Sequence, residues 1–406
     1  MDRSPRPLSP EFALLAACTL LDDARLAEVA APLAQRPGFD WDRFVALGVF
    51  HGVEQVARLQ LEHTLPGVMP AARKAELQRD FVHSAALYAA HTRMALTAVT
   101  ALERARIPVL VLKGAALAGQ LYAPTPEVRA SSDVDILVPP EQLEAADAAL
   151  RQAGLHRSWP EANPPEAARA MFLRFANVFD YQGPISGETV ELHCRATLNP
   201  HAMPVSFAEL DAASVEVETG YGTVRTFGGP LQMHYLCHHM LSQLPHRLKW
   251  FGDIARAMRL SGQRDVSAYV ASYSGALPME PARLTGELLR SFELAIGEAA
   301  SGKREQTRPS RDFERFVRAM ERGRQVSVKR TWSRVPLELR QLLFVMRLVP
   351  GWRGKANEIL LTVGDPRDAV SLRLSPRFAL VYGLAGPLLA LGRFLKRGKT
   401  GAAPSS

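Results

Sequence analysis

Residues 109–138 run VLVLKGAALAGQLYAPTPEVRASSDVDILV. The apolar residues Val109 to Leu112, with Ile107 ahead of them, predict a short strand buried on both faces. Gly114 then allows a sharp backbone turn, and Ala115 to Tyr122 has the composition of a helix. A strand, a glycine and a helix start bring together free N–H groups and the positive end of a helix dipole, a place suited to phosphate. At the far end of the run, Asp133 and Asp135 lead into Ile136-Leu137-Val138 on a second strand. Alternation puts both carboxylates on one face, about 6–7 Å apart along the chain. Convergent hard oxygen ligands suit Mg²⁺, which binds through one or two carboxylates plus substrate phosphates.

Upstream of this run the pattern is helical. Ser9-Pro10-Glu11 reads as an N-cap and first turn, residues 9–35 as one or two helices, and 41–61 as another, broken by Gly48 and Gly52. Residues 71–106 lack glycine and proline, and Leu77, Phe81, Ala85, Tyr88, Thr92, Ala95 and Val99 fall near one face of a long helix. Leu15-Ala16-Ala17-Cys18 has the form of a lipoprotein cleavage box, but the apolar stretch before it is too short for a signal peptide core. Cys18, Cys194 and Cys237 are dispersed, which suits a reducing cytosol and not a disulfide framework.

Downstream, Pro139-Pro140 ends the strand and 141–152 forms a helix stopped by Gly154. Residues 166–174 read as a short helix, 175–181 and 189–195 as strands joined by a turn at 183–187, and 214–218 and 223–227 as a further pair. Helices are expected again at 230–243, 246–261, 266–274, 281–299, 312–330 and 337–348. The 406 residues exceed one core's worth of chain. Residues 1–105 are read as a helical N-terminal domain, 106–229 as a small mixed-sheet core, 230–300 as a helical subdomain closing a cleft, and 301–406 as a basic C-terminal extension. The class is α+β, predominantly helical.

Charge is unevenly placed. Residues 301–406 carry 22 Lys/Arg against 8 Asp/Glu, whereas residues 1–300 are net acidic, so the whole-chain excess of +8 belongs to the last quarter. Such a segment suits nucleic acid, anionic lipid or an acidic partner. Phe378 to Gly392 has no charge and is followed by Arg393, Lys396, Arg397 and Lys399. It is too short to span a bilayer and reads as a segment that docks on the protein or on the membrane surface through 376–406.

A third acid comes from Val190-Glu191-Leu192, where Glu191 and His193 share a strand face. Three convergent acids allow metal-assisted transfer of a phosphoryl-linked group, with one ion activating the attacking oxygen and another steadying the phosphates. His193 reads as a structural strand residue. His234 and His238 have the spacing of a zinc pair on a helix but no third ligand, so packing explains them better. Asp-x-Asp by itself is common; the order of strand, glycine, helix, Asp-x-Asp strand and later acid gives it meaning.

The runs LKGAALAGQLY, SDVDILV and VELHCR, with HHMLSQLPHRLKWFGDIARAM further on, resemble the uncharacterised nucleotidyltransferase family of the DNA polymerase beta superfamily. The resemblance spans roughly residues 10–300, with its specific motifs in 109–138, 190–195 and 236–258. It implies transfer of a nucleoside monophosphate from an NTP to a hydroxyl of an unknown acceptor, dependent on Mg²⁺ or alternatively Mn²⁺. Asp133, Asp135 and Glu191 would be the catalytic metal ligands. Lys113, Gly114, Ala115 and Arg129 would face the nucleotide, with His239 and Asp253 pairing on the helical side. Ala115 departs from the serine or glycine of the wider superfamily and removes a hydroxyl contact to phosphate. The alternative is a catalytically inactive nucleotide-binding or scaffold protein in surface-polysaccharide or peptide-product assembly, at the inner membrane face. Otherwise the chain is expected to be cytoplasmic.

Overall fold

The computed structural model describes residues 7–129, 131–161, 163–183, 188–243, 246–303, 311–322 and 335–372. Four helices open the chain: α1 (Pro10–Leu20), α2 (Asp23–Ala34), α3 (Trp41–His51) and α4 (Glu54–Thr64). Ser9, Asp22 and Asp40 cap the first three, each side chain accepting an otherwise orphaned backbone N–H. Every residue of α1 from Glu11 to Leu20 is buried, so this helix is a core element, as its nearly uncharged sequence requires. Gly48 does not break α3. The chain turns at Gly52, which has φ +66°, while Gly48 stays helical because it lies against Glu54 at the start of α4.

The 34-residue α5 (Ala71–Arg104) links the two halves of the interior. Its Leu77 packs with α1 to α4, and Ala95, Ala98, Val99 and Leu102 pack under a sheet. After it come β1 (Leu110–Val111), α6 (Ala115–Tyr122), β2 (Asp133–Leu137), α7 (Leu143–Gln152), β3 (His156–Trp159), α8 (Glu166–Phe175), β4 (Val178–Gln182), β5 (Thr189–His193), α9 (Phe207–Ala212), β6 (Ser214–Glu218) and β7 (Thr223–Phe227). The five-stranded sheet has the order β1-β2-β5-β4-β3, with β2 and β5 parallel and the other pairs antiparallel. β6 and β7 form a separate antiparallel hairpin with the strand bounds expected from the sequence.

Alternation gives the sheet two unlike faces. Val134, Ile136, Phe179, Tyr181, Val190 and Leu192 point into an apolar layer with α5, α7 and α8. The residues between them, Asp133, Asp135, Glu191 and His193, point the other way.

The rest of the described chain is helical: α10 (Gly229–Ser242), α11 (Leu248–Leu260), α12 (Val266–Ala271), α13 (Glu280–Ser301), α14 (Arg311–Glu321), α15 (Val335–Leu348), α16 (Gly351–Val363) and α17 (Pro366–Leu372). Edge-to-face rings join α13 to α11 and α14, and a tilted ring contact reaches α1. Phe292 meets Phe251 at 5.3 Å and Phe313 at 5.0 Å, and lies 6.4 Å from Phe12. The fold is therefore α+β and predominantly helical.

Four elements are absent from the sequence reading. β3 is a polar edge strand paired only with β4, so it lacks alternation. α9 is six residues long and held by the capping box of Ser206 and Glu209, a signal present in the sequence. α16 and α17 lie beyond the last strong motif yet return to the core, where Asn199 donates to Glu358 and Arg174 to Asn357. No helix among the described residues is long and apolar enough to cross a membrane. The segment 376–406 and most of the 183–187 turn lie outside the described residues.

Gly119 shows how tightly α6 is set on the β6–β7 hairpin. A Cβ there would meet the Glu218 carbonyl oxygen at 2.5 Å and Val217 Cγ1 at 2.9 Å. Gly119→Ala should cost about 1–3 kcal/mol through overpacking, measured by urea unfolding. Gly297→Ala in α13 has nothing within 4 Å of the added Cβ. It should leave stability unchanged or raise it by up to about 1 kcal/mol.

Candidate active site

The parallel register of β2 and β5 sets Asp135 beside Glu191 and Leu137 beside His193. On the other flank of β5, β4 sets Asp180 beside Glu191. A row of three acids thus crosses three strands on the non-apolar face. Lys113 joins it from the end of β1, where the Leu112 N–H donates to the Asp135 carbonyl oxygen at 2.9 Å. Gly114 then turns the chain into α6 with φ +60°, and a Cβ on it would crowd the Asp133 carbonyl oxygen at 3.3 Å. That turn leaves Lys113 Nζ 2.9 Å from Asp135 Oδ1. His193 Nε2 lies 3.1 Å from the same oxygen and 3.3 Å from Glu191 Oε2. Asp135 is fully buried, and its Oδ2 has no hydrogen-bond partner. Glu191 is partly open, at 31 % side-chain exposure.

These contacts govern ionisation. Burial pushes the Asp135 carboxyl up, but the Lys113 ammonium and the His193 hydrogen bond together hold it below the ordinary carboxylate range. Burial pulls Lys113 and His193 down, and the surrounding carboxylates return both to raised values. Asp133 is raised, first by burial and then by the charge of Asp135. Asp180 is raised by burial and by Glu191.

Asp135, Glu191 and His193 offer ligand atoms that all lie within 4.8 Å of one another. The trio expected from the sequence was Asp133, Asp135 and Glu191. Asp135 and Glu191 meet as lateral neighbours on adjacent strands, about 4.8 Å apart, and His193, two residues along β5, joins them because its ring leans back to within 3.1 and 3.3 Å of their oxygens. Asp133 instead stands at the strand end, with Ser131 Oγ hydrogen-bonded to its carbonyl oxygen at 3.1 Å. The orphaned buried oxygen of Asp135 and the partly open Glu191 are donors that fit a hard divalent ion.

The remaining expected residues fall in different places. Arg129 is spent on Asp253 through a two-pronged pair of 2.8 and 2.7 Å, and Tyr122 donates to the same carboxylate at 2.9 Å. Asp253 is therefore buried with both oxygens taken, and it does not pair with His239 as the sequence suggested. His239 packs instead between Tyr235, stacked at 6.0 Å, and Trp250, edge-on at 5.3 Å. Ala115 is buried beside Tyr88 and Ala118. His234 Nε2 donates to the Ala202 carbonyl oxygen at 2.8 Å as a core residue, in agreement with the packing reading.

A cleft of about 560 Å³ opens over Glu191 and Asp133, while Asp135 and Asp180 are not in its lining. Lys113, Asp133, Glu191 and His193 form one wall, and His239, Lys249 and Trp250 the other. Gly114, Ala115 and Asp253 are not in its lining, and Arg129 reaches it while holding Asp253. Its size is that of a small-molecule site. Lys249 was not singled out by the sequence, although it adjoins Trp250. It forms no ion pair among the described residues, and burial together with the charge of Arg129 lowers it to about 8. Glu358 and Leu361 of α16 complete the rim.

A model of the family described as "Uncharacterised nucleotidyltransferase" matches residues 37–282, a span that holds the sheet, the acids, Lys249 and Asp253. No curated protein and no solved structure matches.

The Arg129–Asp253 pair makes a stability prediction. Removing one partner of a buried ion pair leaves an unpaired charge, so Asp253→Leu should lose about 3–5 kcal/mol in urea unfolding. Arg129→Met combined with Asp253→Leu should recover part of that loss, a coupling that a double-mutant cycle measures directly.

Proposed function

The chain belongs to the uncharacterised nucleotidyltransferase family, and from that premise we propose that it moves a nucleoside monophosphate from an NTP to a hydroxyl of its acceptor in the cleft between the β2–β5 face and α10–α11. The observation that carries this reading is the lateral pair Asp135–Glu191, bridged by His193, with Glu191 and His193 lining a cleft whose facing wall carries Lys249, a lysine with no ion pair among the described residues. The chain is a transferase of phosphorus-containing groups by its family. Its strand–glycine–helix turn, followed by Asp-x-Asp and a later acid, supports a place in the DNA polymerase beta superfamily. In this reading residues 106–229 are the catalytic core, flanked by helical segments at 1–105 and 230–300 and by the basic extension 301–406.

Asp133, Asp135 and Glu191 would hold Mg²⁺, or alternatively Mn²⁺, which when bound neutralises phosphate charge and lowers the pKa of a coordinated oxygen. His193, hydrogen-bonded to two of these carboxylates, keeps them in register. Glu191, the more open acid of that pair, accepts the proton of the acceptor hydroxyl. The acceptor oxygen then forms a bond to the α-phosphorus as the bond to pyrophosphate breaks. Lys249 faces the triphosphate as a point charge. Tyr235, His239 and Trp250 offer an aromatic wall suited to a nucleobase.

The direct test incubates the protein with each α-labelled NTP, Mg²⁺ and fractionated cell material. One nucleotide should release pyrophosphate and leave label on one fraction. Absence of both with all four nucleotides would overturn the reading. Glu191→Gln should lower turnover by about 10²- to 10⁴-fold while changing nucleotide affinity little, as separate kcat and Kd measurements would reveal.

Lys249 adds a pH dependence. It is charged below about pH 8 and neutral above, so NTP affinity should fall as pH rises through that value. Lys249→Met should bind more weakly throughout and lose this inflection, whereas Lys249→Arg should keep binding at high pH.

A further inference from the structure

The two oxygens of Asp135 are used very differently. Oδ1 faces two protein donors, Lys113 Nζ at 2.9 Å and His193 Nε2 at 3.1 Å. Oδ2 is just as buried and has no partner. In a two-metal phosphoryl-transfer site the ions stand about 3.5–4 Å apart, and a carboxylate that bridges them gives one oxygen to each. Here a cation of the chain's own already sits on one of those oxygens.

Resting on the nucleotidyltransferase reading above, we propose that the Lys113 ammonium is a resident cation in the place of one of the two ions, so that the site takes up a single divalent ion on the Oδ2 side of Asp135.

Two further observations support this. First, Lys113 is fixed in place and not merely nearby. Leu112 is hydrogen-bonded to Asp135, Gly114 turns the chain with φ +60° immediately after, and the Lys113 side chain is 18 % exposed. An ion pair so largely withdrawn from water is screened less than an exposed one. Second, the Lys113 ammonium supplies positive charge to the acids from within the chain, and a further ion at the same Asp135 oxygen would stand directly against it and displace His193 as well. The inference also gives the Lys-Gly turn a role that phosphate contact does not, because Lys113 Nζ is engaged by a carboxylate.

The test is electron paramagnetic resonance of bound Mn²⁺, with equilibrium dialysis, on the full chain saturated with a non-hydrolysable NTP analogue. The wild type should bind one Mn²⁺ per chain and give the six-line spectrum of an isolated ion. Lys113→Met and the milder Lys113→Gln should each take up a second Mn²⁺ and give the spectrum of a spin-coupled pair. A coupled pair in the wild type would overturn the inference and leave the nucleotidyltransferase reading intact. A single isolated ion in a folded Lys113 variant would also overturn it. No Mn²⁺ uptake by any protein, with nucleotide bound, would overturn metal dependence itself and the inference with it. Should neither variant fold, the wild-type count and spectrum still decide between one ion and two.

Discussion

A fully buried carboxylate on an interior strand of a five-stranded sheet is the constraint around which this molecule is arranged. Asp135 sits on β2 with neighbours on both sides, and an uncompensated charge there would cost several kcal/mol on the order seen for buried ions. Compensation comes from two different strands, Lys113 at the end of β1 and His193 at the end of β5. The charge therefore specifies the register of both pairings. A one-residue slip of β5 would turn Glu191 and His193 into the apolar layer and bring Val190 and Leu192 to the acids. The same arrangement that satisfies the fold collects the acids that the chemistry uses.

A second buried ionic centre holds the opposite wall of the cleft. Arg129 lies in the segment leading to β2, and Asp253 lies on α11, which also carries Lys249 and Trp250. Their two-pronged bond, reinforced by Tyr122 from α6, ties the helical side to the sheet side at one point. Arg256 covers the Tyr122 ring at 4.6 Å and adds to this junction. Spending Arg129 in this way removes a phosphate ligand. It also places a fixed positive charge near Lys249, which contributes to the lowered pKa that leaves this lysine close to titration. The cleft thus combines cations of two kinds, Lys113 and Arg129 neutralised by the protein and Lys249 open to a ligand.

Local periodicity and turn chemistry carried most of the element assignments. The long α5, the β6–β7 hairpin, the helix start at Ser9 and the Lys113-Gly114 turn depend on interactions within a few residues, and such interactions are written in the sequence. So are the acids themselves, because alternation places Asp133 and Asp135 on one face and Glu191 and His193 on another strand's corresponding face. Beyond residue 348 the helices α16 and α17 carry weaker patterns and are ordered by contacts to Asn199 and α8.

Partner choice between distant residues was decided only by the tertiary structure. Nothing in the spacing of Arg129, His239 and Asp253 says which two will meet, since each lies on a separate element and any pairing satisfies the chemistry. The packing of α6 and α11 brought Arg129 and Tyr122 to Asp253 and left His239 between two aromatic rings. Likewise the sequence named three carboxylates, and the parallel register of β2 and β5 put Glu191 beside Asp135, while the side chain of His193, two residues further along β5, reaches back to both of them. Side-chain chemistry and local conformation follow from short stretches of chain. Which charges neutralise one another follows from distances that only the assembled sheet and helices create.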